Sequence, residues 1–182
     1  ALESELSDID GQAGTLVYRG YSIEDLAANA TFEEVVYLLW SGELPTQDEL
    51  DTLRSQLRAE RTLPAPVLSI LRNAPDDAHP MAVLRTAVSA LAFHDRETEE
   101  MTPEANRRKA TRLLARIPTV IAAFDRLRKG REAIEPLNEG SMAYNFLYML
   151  NGEEPDAAAE RTCDVCLVLH TDHGLNASTF TN

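Results

Sequence analysis

Two histidines, His170 and His173, lie three residues apart near the last residue of the sequence. On a helix, residues at this spacing lie one above the other on the same face. Gly174 follows, and glycine readily adopts the left-handed conformation that ends many helices. Beyond it, Asn176 and Ser178 carry side chains that donate or accept hydrogen bonds. The pattern predicts a helix end at which an imidazole and a polar loop bind a small, oxygen-rich anion.

Cys163 and Cys166 suggest a different chemistry, because with the two histidines they form a C-x2-C-x3-H-x2-H pattern that resembles a set of zinc ligands. On one continuous helix, however, these four residues extend over about 15 Å. A tetrahedral ion with bonds of about 2.0–2.3 Å cannot contact all four. We therefore expect no metal site and two buried, reduced cysteines, and keep a zinc protein as the weakest hypothesis.

The elements that position the histidines are predicted to be helices behind a small β hairpin. Residues 3–10 and 15–19 are rich in β-forming side chains and flank a turn bounded by glycines. Further on, a Ser or Thr stands three residues before an Asp or Glu at three places, which is typical of a capping box at a helix start. These predicted starts are at Ser22, Thr31 and Thr46.

Later helices are predicted from apolar residues at helical spacing. One begins at Pro80, where proline's missing N–H is not needed. Another spans 103–129, and Pro118 within it should kink or split it near Ile117. Two more follow, at 142–150 and at 155–173. The predicted fold class is therefore all-α and multi-helical, with a short N-terminal β hairpin, in a single domain over residues 1–182.

Composition restricts the possible partners and location. The 30 acidic residues outnumber the 17 basic ones, of which only Lys109 and Lys129 are lysines, and the formal charge is −13. Such a surface repels nucleic acid and anionic membranes, so neither is expected as a partner. The sequence does not open on a basic-then-apolar leader, which favours a cytoplasmic location. An acidic, lysine-poor surface also suits a salt-rich, halophilic cytoplasm, because counter-ions screen the carboxylates.

Taken as a whole, the chain resembles the amino-terminal half of citrate synthase, of the short archaeal and bacterial type. The resemblance covers essentially all residues, and six motifs occur in the right order. Gly174, where many relatives carry Glu, together with the acidic surface, looks most like the haloarchaeal branch. The matching segments are 6–21, 23–27, 38–46, 79–81, 145–150 and 167–179.

The resemblance implies condensation of acetyl-CoA with oxaloacetate to give citrate and CoA. It implies that His173 binds oxaloacetate and that Asn176 makes a further polar contact with the substrate. Ser178 matches a residue that orients the next catalytic histidine, and His170 is expected to be a packed, hydrogen-bonded neighbour. The C-terminal turn of a helix favours an imidazolium cation, which suits a dicarboxylate ligand.

The resemblance also implies what else the function requires. The catalytic base and the other catalytic histidines are expected after Asn182, so residues 1–182 alone should be an inactive fragment. The CoA thioester is a substrate, and no cofactor is expected. Family members are homodimers, and the apolar segments 35–40 and 142–150 fit a chain that buries surface against a second copy. Two alternatives stay open: 2-methylcitrate synthase, and a non-catalytic helical module.

Overall fold

The computed structural model of the chain describes residues 4–172. Their contacts divide the chain into two compact units. The first combines the residues up to Leu53 with those from Ala157 onward, and the second is Arg54–Asp156. Eight α-helices lie within the described residues: α1 Ile23–Asn29, α2 Phe32–Ser41, α3 Gln47–Glu60, α4 Ala65–Arg72, α5 Pro80–Leu91, α6 Pro103–Leu127, α7 Met142–Asn151 and α8 Ala157–Leu169.

The first unit begins with a small antiparallel sheet. Strands β1 (Ser7–Asp10) and β2 (Thr15–Tyr18) form the predicted hairpin. A third strand, β3 (Tyr21–Ser22), pairs with β2 and was not predicted. Arg19 and Gly20 join β2 to β3 with positive φ angles of 48° and 90°. A two-residue hairpin turn of this kind requires positive φ at both positions, and an Arg-Gly pair is a weak sequence signal for it.

The helices of the first unit begin where the sequence predicts. The Ser22 hydroxyl accepts a hydrogen bond from the Asp25 N–H at 3.1 Å. Thr31 and Glu34 form a complete capping box at the start of α2. The apolar side chains of α2 are buried, as its composition predicts, and the helix ends at Gly42 with a left-handed φ of 92°. Local spacing is therefore sufficient to place these helix ends.

The second unit packs α4, α5 and α6 around one apolar core, which includes Val67, Leu71, Ala87, Val120 and Phe124. Helix α6 is continuous over 25 residues and passes through Pro118, so it is not split there, and the alternative expectation of a kink stays a prediction. Proline removes one backbone hydrogen bond, but buried side chains on both sides of it keep the helix packed against its neighbours.

Helix α8 ends at Leu169, before the predicted end at residue 173. The Thr171 hydroxyl donates to the carbonyl oxygens of Leu167 and Val168, at 2.8 and 3.0 Å. The His170 and Thr171 N–H groups donate to the same two carbonyl oxygens at 3.2 and 3.3 Å, so the last turn has the tighter spacing that is frequent at helix ends. None of the helices within residues 4–172 is long and apolar enough to cross a membrane.

Candidate functional site

His170 lies in the turn directly after α8. Its Nδ1 lies 2.7 Å from the carbonyl oxygen of Cys166. A carbonyl oxygen only accepts, so the ring donates from Nδ1 and, when neutral, carries a free lone pair on Nε2. The side chain is exposed, so the expectation that it is packed is wrong. His170 is a hydrogen-bonded surface histidine, oriented by the last turn of its own helix.

Asp172, two residues after His170, contacts the β hairpin through both its backbone and its side chain. The Tyr18 hydroxyl donates to the Asp172 carbonyl oxygen at 2.7 Å. The Asp172 N–H donates to the same hydroxyl at 3.2 Å. The Ser7 hydroxyl donates to an Asp172 carboxylate oxygen at 2.5 Å. We call these three bonds the Asp172 contact.

Tyr18 is completely buried, with 0% of its surface exposed. Burial raises the pKa of its phenol, and the negative charge of Asp172 acts in the same direction, while the hydrogen bond to the Asp172 backbone opposes them. The hydroxyl therefore stays protonated at neutral pH and can donate. A buried tyrosine needs a partner for its hydroxyl, and here the partner is the backbone that directly precedes His173.

Two charged residues of α8 bind the backbone of the helices that it packs against. The buried Asp164 accepts from the Phe32 N–H at 2.9 Å, at the start of α2. Arg161 donates to Asp164 at 2.8 Å and to the Ala28 and Ala30 carbonyl oxygens at the end of α1. A carboxylate at a helix start and a guanidinium at a helix end both match the helix dipoles. These contacts fix α8 within the first unit.

Comparisons with known proteins assign the chain to a family. A family model described as "Citrate synthase, C-terminal domain" matches residues 1–182. The chain belongs to the citrate synthase family. It is 53% identical to a citrate synthase from Haloferax volcanii over 182 residues, which cover 98% of this chain and 48% of that protein. It is 42% identical to a 2-methylcitrate synthase from Mycobacterium tuberculosis over 175 residues, 96% of this chain and 44% of that protein.

The fold also agrees with this family. A crystal structure of citrate synthase from Pyrobaculum aerophilum matches 99% of this chain and 47% of that one, with a TM-score of 0.91 and 38% identity. The predicted family and the predicted helical fold are therefore confirmed. The chain spans about half the length of the curated citrate synthase relatives that it matches.

Three of the four residues that the citrate synthase resemblance assigns to the site, His173, Asn176 and Ser178, lie outside the described residues. Their roles, and any positioning role of His170, stay predictions. Ser7, Tyr18 and Asp164, which hold α8 and the backbone up to Asp172, are not identified as site residues by the sequence. A tyrosine in a predicted strand is a hint of a buried hydroxyl, but its partner is 154 residues away and no local pattern identifies it.

Both cysteines of this citrate synthase family member are free thiols, but Cys163 is half-buried and Cys166 is exposed. The expectation that both are buried is wrong, because α8 turns the face that carries Cys166 outward. Burial raises the pKa of the Cys163 thiol, so it stays protonated at neutral pH. Between residues 4 and 172 there is no group of three or more His, Cys, Asp or Glu side chains placed to bind a metal ion.

Proposed function

We propose that this chain is part of a citrate synthase, an acyltransferase that condenses acetyl-CoA with oxaloacetate. The observation that carries the proposal is the 53% identity to a citrate synthase along almost the whole chain. Because the chain spans about half of that protein, the activity is proposed for the complete enzyme.

The reaction that we propose has three chemical requirements. A base removes a proton from the methyl carbon beside the thioester carbonyl, and a hydrogen-bond donor stabilises the enol that forms. The enol carbon then bonds to the ketone carbon of oxaloacetate, whose oxygen takes up a proton. Water finally cleaves the thioester bond, so citrate and CoA are released. Cations and N–H groups must bind the two carboxylates of oxaloacetate throughout.

Within this chain, we assign the binding of oxaloacetate to His173 and a second polar contact to Asn176. Ser178 would orient a catalytic histidine, and His170 would support the segment from the end of α8. An imidazolium attracts a dicarboxylate and donates to it, whereas the enzyme's base and its further cationic side chains are expected after Asn182. The backbone that leads to His173 is fixed to the hairpin by the Asp172 contact, as a binding residue requires.

Replacing His173 with alanine in the complete enzyme tests this assignment. Loss of a hydrogen bond to a charged ligand should raise the KM for oxaloacetate roughly 10- to 100-fold. His94→Ala is the matched control, since His94 is exposed in the other unit. Steady-state kinetics with varied oxaloacetate measure both variants. An unchanged KM in His173→Ala contradicts the assignment.

The second candidate is 2-methylcitrate synthase, which would use propionyl-CoA as the acyl donor. The 42% identity to a protein of that name supports it, less strongly than the 53% identity supports the first candidate. One extra methylene in an apolar pocket changes kcat/KM by roughly 10- to 200-fold. We expect a higher kcat/KM with acetyl-CoA than with propionyl-CoA, and the reverse ratio would favour the second candidate.

We further propose that the complete enzyme is a homodimer. The apolar residues Phe93 and Met101 are 87% and 75% exposed in the single chain. Burying them in a subunit interface would be favourable. Within 35–40, Val35, Val36, Leu38 and Leu39 are already buried in the chain, so only the half-buried Tyr37 and Trp40 have surface left for a second copy. Light scattering of the eluted enzyme should give twice the subunit mass, and a monomer would contradict the proposal.

We propose a cytoplasmic, halophilic setting for the enzyme. The support is the excess of acidic over basic residues and the formal charge of −13. Molar salt screens repulsion among carboxylates, so the melting temperature should rise as KCl is added. A melting temperature that is already maximal in dilute buffer contradicts the halophilic part.

A further inference from the structure

The Asp172 contact involves both backbone groups of a residue that lies just after the end of α8. Helix α8 ends at Leu169, and Asp172 follows the capping turn at His170 and Thr171. A single hydroxyl, that of Tyr18, donates to the Asp172 carbonyl oxygen and accepts from the Asp172 N–H. These two bonds restrict the peptide units on both sides of the Asp172 Cα, including the peptide bond that leads to His173.

The sheet holds the two hydroxyls of this contact in fixed positions. Ser7 on β1 and Tyr18 on β2 are directly opposite each other in the antiparallel register. Tyr18 also pairs with Tyr21 on β3, so its strand is bonded on both sides. Ser7 is half-buried and Tyr18 is fully buried, which limits the rotamers of both side chains. The hairpin therefore presents a rigid pair of hydroxyl groups to Asp172.

We infer that Ser7 and Tyr18 are positioning residues for oxaloacetate binding: the hairpin fixes the backbone from which His173 extends. This inference rests on the proposed function, since it assumes that His173 binds oxaloacetate. Neither hydroxyl is assigned a contact with substrate. A displacement of about 1 Å in a binding group is enough to cost roughly 100-fold in rate, so the position of this backbone matters.

Tyr18→Phe in the complete enzyme tests the inference, because it removes the hydroxyl and keeps the buried ring. The loss of two hydrogen bonds to the Asp172 backbone should raise the KM for oxaloacetate roughly tenfold. The KM for acetyl-CoA should change less than about twofold, since the hairpin contact acts on the oxaloacetate-binding segment. Tyr21→Phe is the matched control: it makes the same chemical change on the neighbouring strand, where the side chain is 40% exposed.

Variants of Ser7 give an independent test at a position that is easier to substitute. Ser7→Ala removes the hydroxyl that bonds the Asp172 carboxylate and should raise the same KM, by a smaller factor. Ser7→Thr keeps a hydroxyl and should restore the wild-type value. If Tyr18→Phe fails to fold, this pair decides the inference, and an equal KM in Ser7→Ala, Ser7→Thr and the wild type overturns it.

The same measurements separate the inference from the proposed function. A raised KM in His173→Ala with an unchanged KM in Tyr18→Phe and Ser7→Ala overturns the inference and leaves the function in place. An unchanged KM in His173→Ala overturns the function, and the positioning role with it. If Tyr18→Phe or Ser7→Ala raises the KM for oxaloacetate and for acetyl-CoA equally and lowers the melting temperature, the residue has a merely structural role. This outcome also overturns the inference.

Discussion

The two compact units bind their carboxylates with different donors. In the first unit, many of the donors are hydroxyl groups. Glu49, for example, accepts hydrogen bonds from the Thr46 and Tyr37 hydroxyls, at 2.6 and 2.7 Å. In the second unit, arginine takes this role. Arg112 bonds both Asp95 and Glu97 at 2.9 Å.

This difference predicts how each unit responds to its surroundings. A hydroxyl donor is neutral, so salt affects its hydrogen bond to a carboxylate only weakly. An arginine pair is an ionic interaction that salt screens wherever water reaches it. The Arg161–Asp164 pair is an exception within the first unit, where Asp164 is buried and also bonded to backbone. The stability of the second unit should therefore depend more on its arginines and on ionic strength than the stability of the first unit does.

The largest effect is expected from Arg61, the most buried arginine among the described residues of the second unit. Its guanidinium donates to the carbonyl oxygens of Leu137, Glu139 and Gly140, at 3.0–3.1 Å. Arg61→Ala leaves these oxygens without that donor, and should lower the free energy of unfolding by about 3 kcal/mol. Urea denaturation measures the change.

Arg72→Ala is the control for Arg61, because Arg72 lies in the same unit and makes a surface pair with Glu132 at 3.9 Å. Its loss should cost less than about 1 kcal/mol. Equal effects of the two substitutions would show that buried arginine is not what distinguishes this unit.

A smaller effect is expected from Arg112. Its side chain is 15% exposed and contacts two carboxylates, so Arg112→Ala should cost about 1–2 kcal/mol in dilute buffer. Arg108→Ala removes another partner of Glu97, but Arg108 is 52% exposed and its loss should cost less stability than the loss of Arg112. Denaturation at low and high KCl measures both, and the Arg112 effect should shrink with salt. A cost that does not change with salt would contradict the ionic interpretation.

The smallest effect is a difference in titration between Glu49 and Glu97. Hydrogen bonds from Thr46 and Tyr37 lower the pKa of Glu49 to about 2. Hydrogen bonds from Arg108 and Arg112 lower the pKa of Glu97 to about 2 as well. Since both pKa values fall on folding, each carboxylate stabilises the fold above its ordinary pKa of 4.5, and this contribution is lost as the pH falls through about 2.

Carbon-13 NMR of the two side-chain carboxylates checks this comparison. Raising KCl to about 1 M shortens the screening length to about 3 Å and should raise the pKa of Glu97 more than that of Glu49. Tyr37→Phe serves as a control, since it should raise the pKa of Glu49 alone. An equal response of the two groups to salt would mean that the units do not differ in this respect.

Local features of the fold could be predicted from the sequence, and distant partners could not. Thr31 and Glu34 are three residues apart, so their spacing alone identifies the capping box. Arg61 bonds carbonyl groups 76 or more residues away, and nothing in its neighbourhood in the sequence indicates them. Gly174 predicts a later end for α8 than the structure has, since the backbone already tightens at His170 and Thr171, whose N–H groups donate to the Leu167 and Val168 carbonyl oxygens.

The candidate site shows the same difference between local motifs, which could be predicted, and distant partners, which could not. The family motif around His173 was recognisable because it is contiguous, and from His173 onward it lies outside the described residues. The hydroxyls of Ser7 and Tyr18 could not be connected with it, because hydrogen bonds between distant parts of a chain depend on packing that spacing does not encode.

The discontinuity of the first unit has a consequence during synthesis on the ribosome. Arg54–Asp156 is one uninterrupted stretch of sequence. The Tyr18 hydroxyl, in contrast, can bond Asp172 only after the ribosome has added 154 more residues. At about 5–20 residues per second, that delay lasts about 8–30 s. During this interval the Tyr18 hydroxyl of the nascent hairpin has no Asp172 to bond and can form hydrogen bonds with water instead. The contiguous stretch Arg54–Asp156 can therefore fold before the first unit, which also needs the residues from Ala157 onward.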